Sequence, residues 1–302
     1  MKLTHLNFET QDKLKLPGLL FEPEGKTGKV LISLHGNGNA SIFYRPEGTN
    51  SMAKELEKIG VTYFPFNNRG AHYVTKFKWF ENGVKKEIKY GTAYELIKEC
   101  LLDIDAAIKF LESLGYKEFY LIGHSTGANK ICVYDYFQKN NKVSKYILLG
   151  GGDDTGLYFA DMGEEKFFAV LKRCQEEIKR GNGRKLAPKY ITGSIMSYQS
   201  LYDTINPDGN YNTFPFNETI NNLKLSLKEL FREFKAIKKK TLVLYGQFDE
   251  YCYGSVEKCV EILRKQVAGK NNFNFQIIPG ADHGVNEKEQ ELATLVAKWL
   301  KS

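Results

Sequence analysis

Leu121-Ile122-Gly123-His124-Ser125-Thr126-Gly127-Ala128-Asn129 decides how the rest of the chain is read. An apolar run, residues 119–122, enters it, and a segment with helical spacing, residues 129–137, leaves it. A strand must therefore become a helix within a few residues, which forces the central residue into strained, exposed backbone geometry. Glycines two positions to either side relieve the crowding because they lack a Cβ. The strain lifts the Ser125 hydroxyl clear of the sheet, where a base can reach it. Gly-x-Ser-x-Gly alone is a weak signal, since ordinary turns produce it by chance. Between a strand and a helix it is a much stronger one.

Upstream, Lys29-Val30-Leu31-Ile32-Ser33-Leu34 is the kind of apolar run found in a buried central strand, and it ends in His35-Gly36-Asn37-Gly38-Asn39. Residues 2–8 and 14–22 read as two further strands, with Pro17-Gly18 an irregularity in the second and a turn at 25–28. A short amphipathic helix is expected over residues 52–59, closed by Gly60. Strand 61–66 then leads into Asn67-Asn68-Arg69-Gly70-Ala71-His72. Residues 73–91 read as irregular, polar and aromatic. Thr92-Ala93-Tyr94-Glu95 reads as a capping box opening a long helix whose apolar stripe runs from Leu96 to Leu111.

Downstream, strand 145–149 runs into Gly150-Gly151-Gly152-Asp153-Asp154. The alternation then breaks. Residues 155–237 carry an amphipathic helix (164–180), a stretch rich in turn residues, tyrosine and phenylalanine, and a helix over 220–234. Strand 241–245, helix 255–265, strand 273–278 and helix 287–300 restore the pattern. Such alternation implies an α/β fold, a mostly parallel central sheet with helices on both faces. The expected organisation is a core domain of residues 1–154 and 237–302 interrupted by a largely helical cap insertion, residues 155–236. The cap would lie over the carboxyl edge of the sheet, where ligands bind in such folds.

The 302 residues are 42% apolar, enough for one large globular core, and no apolar run approaches the roughly 20 residues of a membrane span. The first eight residues alternate like a strand and lack the apolar region of a signal peptide. Five cysteines (100, 132, 174, 252 and 259) form no disulfide framework and read as reduced, mostly buried thiols of a cytoplasmic protein. The net charge of +7 invites a nucleic-acid reading, but basic and acidic residues alternate along helix faces. A solvated surface accounts for the charge. No metal is expected, because Cys252 and Cys259 are too far apart for a zinc knuckle and lack histidine partners. No cofactor is expected either. In Gly36-Asn37-Gly38-Asn39-Ala40-Ser41, Ser41 stands where a dinucleotide fingerprint needs its last glycine, and Glu55 and Glu57 fall inside a helix rather than at a strand end.

A serine hydroxyl is a poor nucleophile at neutral pH, so it needs a base, and the base an orienting acid. In a strand–turn–helix context the chain order is serine, acid, histidine. Of the five histidines only His283 follows Ser125, in Pro279-Gly280-Ala281-Asp282-His283-Gly284. Asp249, just past a strand in Leu244-Tyr245-Gly246-Gln247-Phe248-Asp249, is the expected acid, with Asp153 or Asp154 the rival placement. Glu250 would point elsewhere, and Asp282 is expected to form a turn. An oxyanion hole needs two backbone N–H groups aimed where negative charge develops. Thr126 is the expected first donor and Asn37 the second, with Gly38 behind it. His35 is expected to brace its loop, and His124 to act as a spacer in the elbow.

Leu34-His35-Gly36-Asn37-Gly38, Gly123-His124-Ser125-Thr126-Gly127, Gly246-Gln247-Phe248-Asp249 and Asp282-His283-Gly284 together resemble the α/β-hydrolase superfamily of serine esterases and lipases. The resemblance covers residues 28–150 and 237–300. The elbow and Asn68-Arg69-Gly70 are also similar to the branch containing feruloyl esterases and siderophore-ester hydrolases. The oxyanion loop departs from the triple glycine of many lipases, and the insertion, which would set the substrate, matches no subfamily. The resemblance implies a carboxylic-ester hydrolase that works on a small-molecule ester through an acyl-enzyme. Thioesterases, amidases, peptidases and acyltransferases share the machinery. A ligand-binding protein that keeps the fold without turnover is the reading from another class, and an intact Ser/Asp/His set argues against it. The aromatic insertion suits a partly apolar or aromatic substrate, although an ordinary core explains its composition equally well.

Overall fold

A computed structural model describes residues 1–25, 27–38 and 40–302. Lys26, in the expected turn at 25–28, and Asn39, at the end of the first glycine loop, lie outside the described residues. In chain order the elements are β1 (Lys2–Glu9), β2 (Lys15–Glu22), β3 (Lys29–Leu34), α1 (Pro46–Glu57), β4 (Thr62–Phe66), β5 (Thr75–Glu81), β6 (Val84–Tyr90), α2 (Cys100–Ser113), β7 (Glu118–His124) and α3 (Thr126–Phe137). There follow β8 (Val143–Leu149), α4 (Asp154–Met162), α5 (Glu164–Lys179), α6 (Tyr198–Ile205), α7 (Phe216–Ile220), α8 (Arg232–Lys235), β9 (Lys240–Phe248), α9 (Val256–Gln266), β10 (Phe273–Asp282) and α10 (Glu289–Lys301).

Eight strands form one sheet in the order β1-β2-β4-β3-β7-β8-β9-β10. β2 is antiparallel to both β1 and β4, and the remaining pairs are parallel. Alternation along β3 explains why its sequence is apolar without a break. Val30 and Ile32 join the core under α2, α3 and α9, while Leu31 faces α1 and α10 on the other side. A strand buried on both faces has no polar side to present. Residues 154–236 carry α4–α8 and hold a small core of their own, including Phe167, Met196, Leu201 and Ile205.

Several local expectations are corrected. The irregularity at Pro17-Gly18 is absent: β2 pairs with β1 through both residues, and Gly18 lets the Phe64 ring lie against the backbone. Residues 73–91 contain a hairpin, β5–β6, turned by Asn82 (φ 50°) and Gly83 (φ 76°). Two successive left-handed residues match the strand twist, and Asn-Gly supplies them. The capping box at 92–95 does not form. Thr92 Oγ1 donates instead to the Gly38 and Gly70 carbonyls, Glu95 pairs with buried Lys130, and α2 begins at Cys100 after a single 3₁₀ turn. α1 starts six residues early, at Pro46, where the missing N–H of proline costs nothing. The helix expected over 220–234 is broken into α7 and α8. The Glu218 carboxylate takes the N–H groups of Leu225 and Ser226, and Asp208 takes those of Leu227 and Lys228. Side-chain acceptors thus replace the i−4 carbonyls a helix would need.

Candidate active site

Ser125 sits between β7 and α3 with φ 55° and ψ −128°, far outside helical geometry and in the left-handed half of the map. The strand hands over its own hydrogen bonding to hold it there: Ser125 N–H donates to the Leu149 carbonyl of β8, 2.8 Å. The two flanking glycines do what the sequence demands of them. A Cβ on Gly123 would collide with the Gly127 carbonyl, and one on Gly127 would lie 2.5 Å from the Leu34 carbonyl oxygen. Gly36 leaves equal room from the other side, since a Cβ there would meet Ser125 Cβ at 2.9 Å.

β9 and β10 deliver the other two residues from neighbouring parallel strands. Asp249 follows β9 and His283 follows β10, and Asp249 Oδ2 lies 2.9 Å from His283 Nδ1. Asp249 is buried, and its Oδ1 accepts the Tyr251 N–H, 3.1 Å. Of the rivals, Asp153 is committed elsewhere, accepting from Gly156 N–H, Asn217 N–H and the Tyr253 hydroxyl at 2.8, 2.7 and 3.0 Å. Asp154 lies on the cavity wall, and neither Asp249 nor His283 is hydrogen bonded to its carboxylate. Burial pushes it up to about 6, with the nearby His283 acting in the opposite direction.

The loop bearing His283 is fixed on three sides. Glu250 Oε2 accepts the His283 N–H at 3.1 Å, so this carboxylate is turned toward the histidine, contrary to expectation. Asp282 accepts the backbone and side-chain N–H groups of Asn286, forming the expected turn. His124 Nε2 donates to the His283 carbonyl, 2.8 Å. Burial, helped by the proximity of His283, holds His124 at about 4 and hence neutral, so the elbow spacer also anchors the His283 loop. His35 is likewise kept neutral, at about 3, by burial and by the Lys130 charge, and its Nδ1 lies 2.8 Å from the Gly36 carbonyl.

Asn37 and Thr126 face each other across one hydroxyl. Asn37 Nδ2 donates to the Tyr211 hydroxyl at 2.9 Å, and that hydroxyl donates to Thr126 Oγ1 at 3.4 Å. The Asn37 backbone N–H has no partner among the described residues, and Gly38 N–H is taken by Asn37 Oδ1, 2.8 Å. Thr126 is the first residue of α3, where an N–H has no carbonyl to bond within its own helix. Burial keeps Tyr211 well above the ordinary phenol range, so it remains a neutral donor. Tyr211, Glu250 and the anchoring role of His124 are the contacts the sequence leaves invisible.

Ser125, His283, His35 and Asn37 line one cavity of about 840 Å³, and Leu157, Tyr158, Ile195 and Met196 from residues 154–236 complete its wall. Neither Ser125 Oγ nor His283 Nε2 has a hydrogen-bond partner among the described residues. Such nucleophile–base contacts commonly tighten only with substrate in place. Among the described residues no group of three or more His, Cys, Asp or Glu side chains gathers to hold a metal ion.

Solved structures share this architecture over almost the whole chain. DcsB in complex with its substrate analogue matches with a TM-score of 0.65 at 12% identity, covering 99% of this chain and 98% of that one. Est1E from Butyrivibrio proteoclasticus with bound ferulic acid matches at 0.59 and 14%, covering 98% of each. The Pyrococcus furiosus esterase Pf2001 matches at 0.57 and 18%, covering 99% of this chain and 90% of that one. The chain has the α/β-hydrolase fold. A tear acid lipase-like protein of Mesocricetus auratus is 31% identical over 149 residues, which are 46% of this chain and only 36% of that relative's length. Residues 88–301, from the hairpin's second strand through the turn at Ser125 to the last helix, match one family model, and the chain thereby belongs to the family described as protein of unknown function (DUF1749).

Proposed function

We propose that this protein hydrolyses carboxylic esters of small or medium, partly apolar or aromatic substrates through an acyl-enzyme on Ser125. The observation that carries the reading is a serine at φ 55° on a strand–helix elbow, opening on the same cavity as the hydrogen-bonded His283–Asp249 pair. Ser125 Oγ attacks the acyl carbonyl carbon while its proton passes to His283 Nε2. Asp249 accepts the Nδ1–H and stabilises the imidazolium. The backbone N–H groups of Asn37 and Thr126 take the oxyanion charge. Collapse breaks the ester C–O bond, and the leaving alkoxide receives the proton from His283. Water then repeats the sequence on the acyl-enzyme, and the acid leaves with Ser125 restored.

Residues 155–236 act as a cap over the carboxyl edge of the sheet, and their Leu157, Tyr158, Ile195 and Met196 give the cavity its apolar side. The esterase and lipase names of similar proteins agree with ester chemistry. Five unpaired, buried cysteines support a reducing, cytoplasmic setting. Ser125→Ala and His283→Ala should each lower turnover of p-nitrophenyl esters by about six orders of magnitude, and a fluorophosphonate probe should label wild type but not Ser125→Ala. Wild-type rates in both purified variants would refute the assignment. A panel of thioesters, amides and aromatic or aliphatic esters of graded length then separates ester hydrolysis from its relatives with the same machinery.

A further inference from the structure

The β5–β6 hairpin stands apart from the eight-stranded sheet and pairs only with itself among the described residues. Its register sorts its side chains cleanly. Phe77 and Ile88, directly opposite one another, pack toward the main core. The other face carries Lys76 opposite Lys89, Lys78 opposite Glu87, and Phe80 opposite Lys85. Glu87 is the one carboxylate on that face, and it is 3.2 Å from Lys76. At the tip, Phe80 on this face is 76% exposed, and Val84, on the Phe77 face with Lys86 and directly opposite Glu81, is 57% exposed.

We propose that this hairpin docks on an anionic phospholipid bilayer surface, with Phe80 and Val84 between the headgroups and the lysines against their acidic groups. Lysines on a small sheet can serve merely to keep its edges from pairing. That purpose gives no reason to place a phenylalanine at an exposed tip position, where it costs solubility. Exposed Phe80 and Val84, with Lys78, Lys85 and Lys86 around them against the single tip carboxylate Glu81, leave the hairpin end net positive, an arrangement that suits the boundary between water and acyl chains. The five basic residues of the hairpin (76, 78, 85, 86 and 89) are all lysine, point charges that suit a diffuse anionic surface. Nucleic-acid recognition favours the planar fork of arginine, which is absent from these strands, and a row of aromatic faces, of which the exposed tip offers one, Phe80. A second copy of the chain would bring lysine against lysine across a two-fold axis.

Position gives the docking a consequence. The hairpin springs from the cavity rim: Tyr73 and Thr92, which line the cavity, flank its two strands, and Ala93 N–H donates to the Tyr73 carbonyl, 3.0 Å. Exposed Tyr44, also on the rim, is hydrogen bonded to His72 beside the hairpin base. A membrane held at the tip therefore lies about 20 Å, one strand length, from the cavity rim. Docking itself does not depend on the ester-hydrolase reading.

The test is co-sedimentation of the full chain with phosphatidylcholine vesicles, with and without about a third phosphatidylserine, at roughly 0.1 M salt. Wild type should pellet with the anionic vesicles only, and less at higher salt. Lys78→Gln with Lys85→Gln should weaken partitioning about 25-fold, taking about fivefold per lysine. Phe80→Ser should weaken it roughly tenfold with the salt dependence unchanged. Thermal melting checks that each variant is folded. Equal pelleting with neutral and anionic vesicles, no pelleting with either, or undiminished binding by the lysine variant would overturn the proposal. Salt-sensitive binding to single-stranded RNA without vesicle binding would assign the face to nucleic acid instead. Inactivity toward every ester would leave the sedimentation result standing, so the two readings fail separately.

Discussion

Tyr211 reaches the site from 174 positions beyond Asn37, and its one hydroxyl touches the side chains of both residues proposed for the oxyanion hole. Its value lies in position rather than chemistry. An oxyanion hole works because its donors are fixed before charge develops, and losing a donor outright costs about 3–4 kcal/mol of barrier. Loosening the two residues that carry the donors should cost less. Tyr211→Phe keeps the buried ring and deletes only the hydroxyl, so kcat on a soluble ester should fall roughly tenfold while KM stays within about twofold. An unchanged kcat would mean that the loop is held without it. The strained turn at Ser125 and the meeting of Asp249 with His283 were legible because each depends on a short local pattern: glycines at fixed offsets, or a polar residue just past an apolar run. No local pattern marks Tyr211, Glu250 or the contact of His124 with the His283 carbonyl, which are set by which strands happen to lie side by side.

Whole elements were legible in proportion to their periodicity. The central strands are apolar runs and read directly, whereas the hairpin 75–90 alternates lysine with aromatic residues and hides among polar loops. Asn82-Gly83 between alternating segments was the available signal for it. The split between α7 and α8 had no such signal, because the carboxylates that break the helix act through backbone groups they capture only in the fold. Glu218 carries most of that arrangement. It is buried, accepts the N–H groups of Leu225 and Ser226 at 2.9 Å each, and takes the Ser226 hydroxyl at 2.6 Å. Glu218→Ala removes every one of these acceptors and leaves the Leu225 and Ser226 N–H groups without partners, while the Ser226 hydroxyl keeps only the Pro207 carbonyl as acceptor. Stability should fall by about 2–4 kcal/mol in urea unfolding, and amides of residues 222–228 should lose hydrogen-exchange protection before those of the central sheet. Uniform loss of protection, or none, would assign the integrity of the segment to Leu223 and its neighbours instead.

At the scale of the molecule, the parallel sheet gathers histidines and carboxylates at its carboxyl edge, and burying them there couples stability to pH. His124 is the clearest case. Its folded-state value of about 4 lies below the unperturbed 6.5, so the unfolded chain binds a proton there that the native chain refuses. The associated stability is fully present above pH 6.5 and is lost as pH falls toward 4. Asp153, Asp154 and Asp203, each raised by burial to about 6, act with the opposite sign over an overlapping range, because the native state there holds protons the unfolded chain has released. The wild-type curve alone therefore mixes the two effects, and a difference between variants isolates one. His124→Gln keeps an N–H able to reach the His283 carbonyl but cannot titrate. Relative to wild type, this variant should gain at most about 1.4 kcal/mol for each pH unit below 6.5, or about 2 kcal/mol between pH 7.5 and pH 5. Urea midpoints and slopes measured at those two pH values give the difference directly. A stability gap that is the same at both would show that the His124 ring takes up its proton as readily folded as unfolded, and the neutral anchor under the His283 loop would have to be abandoned.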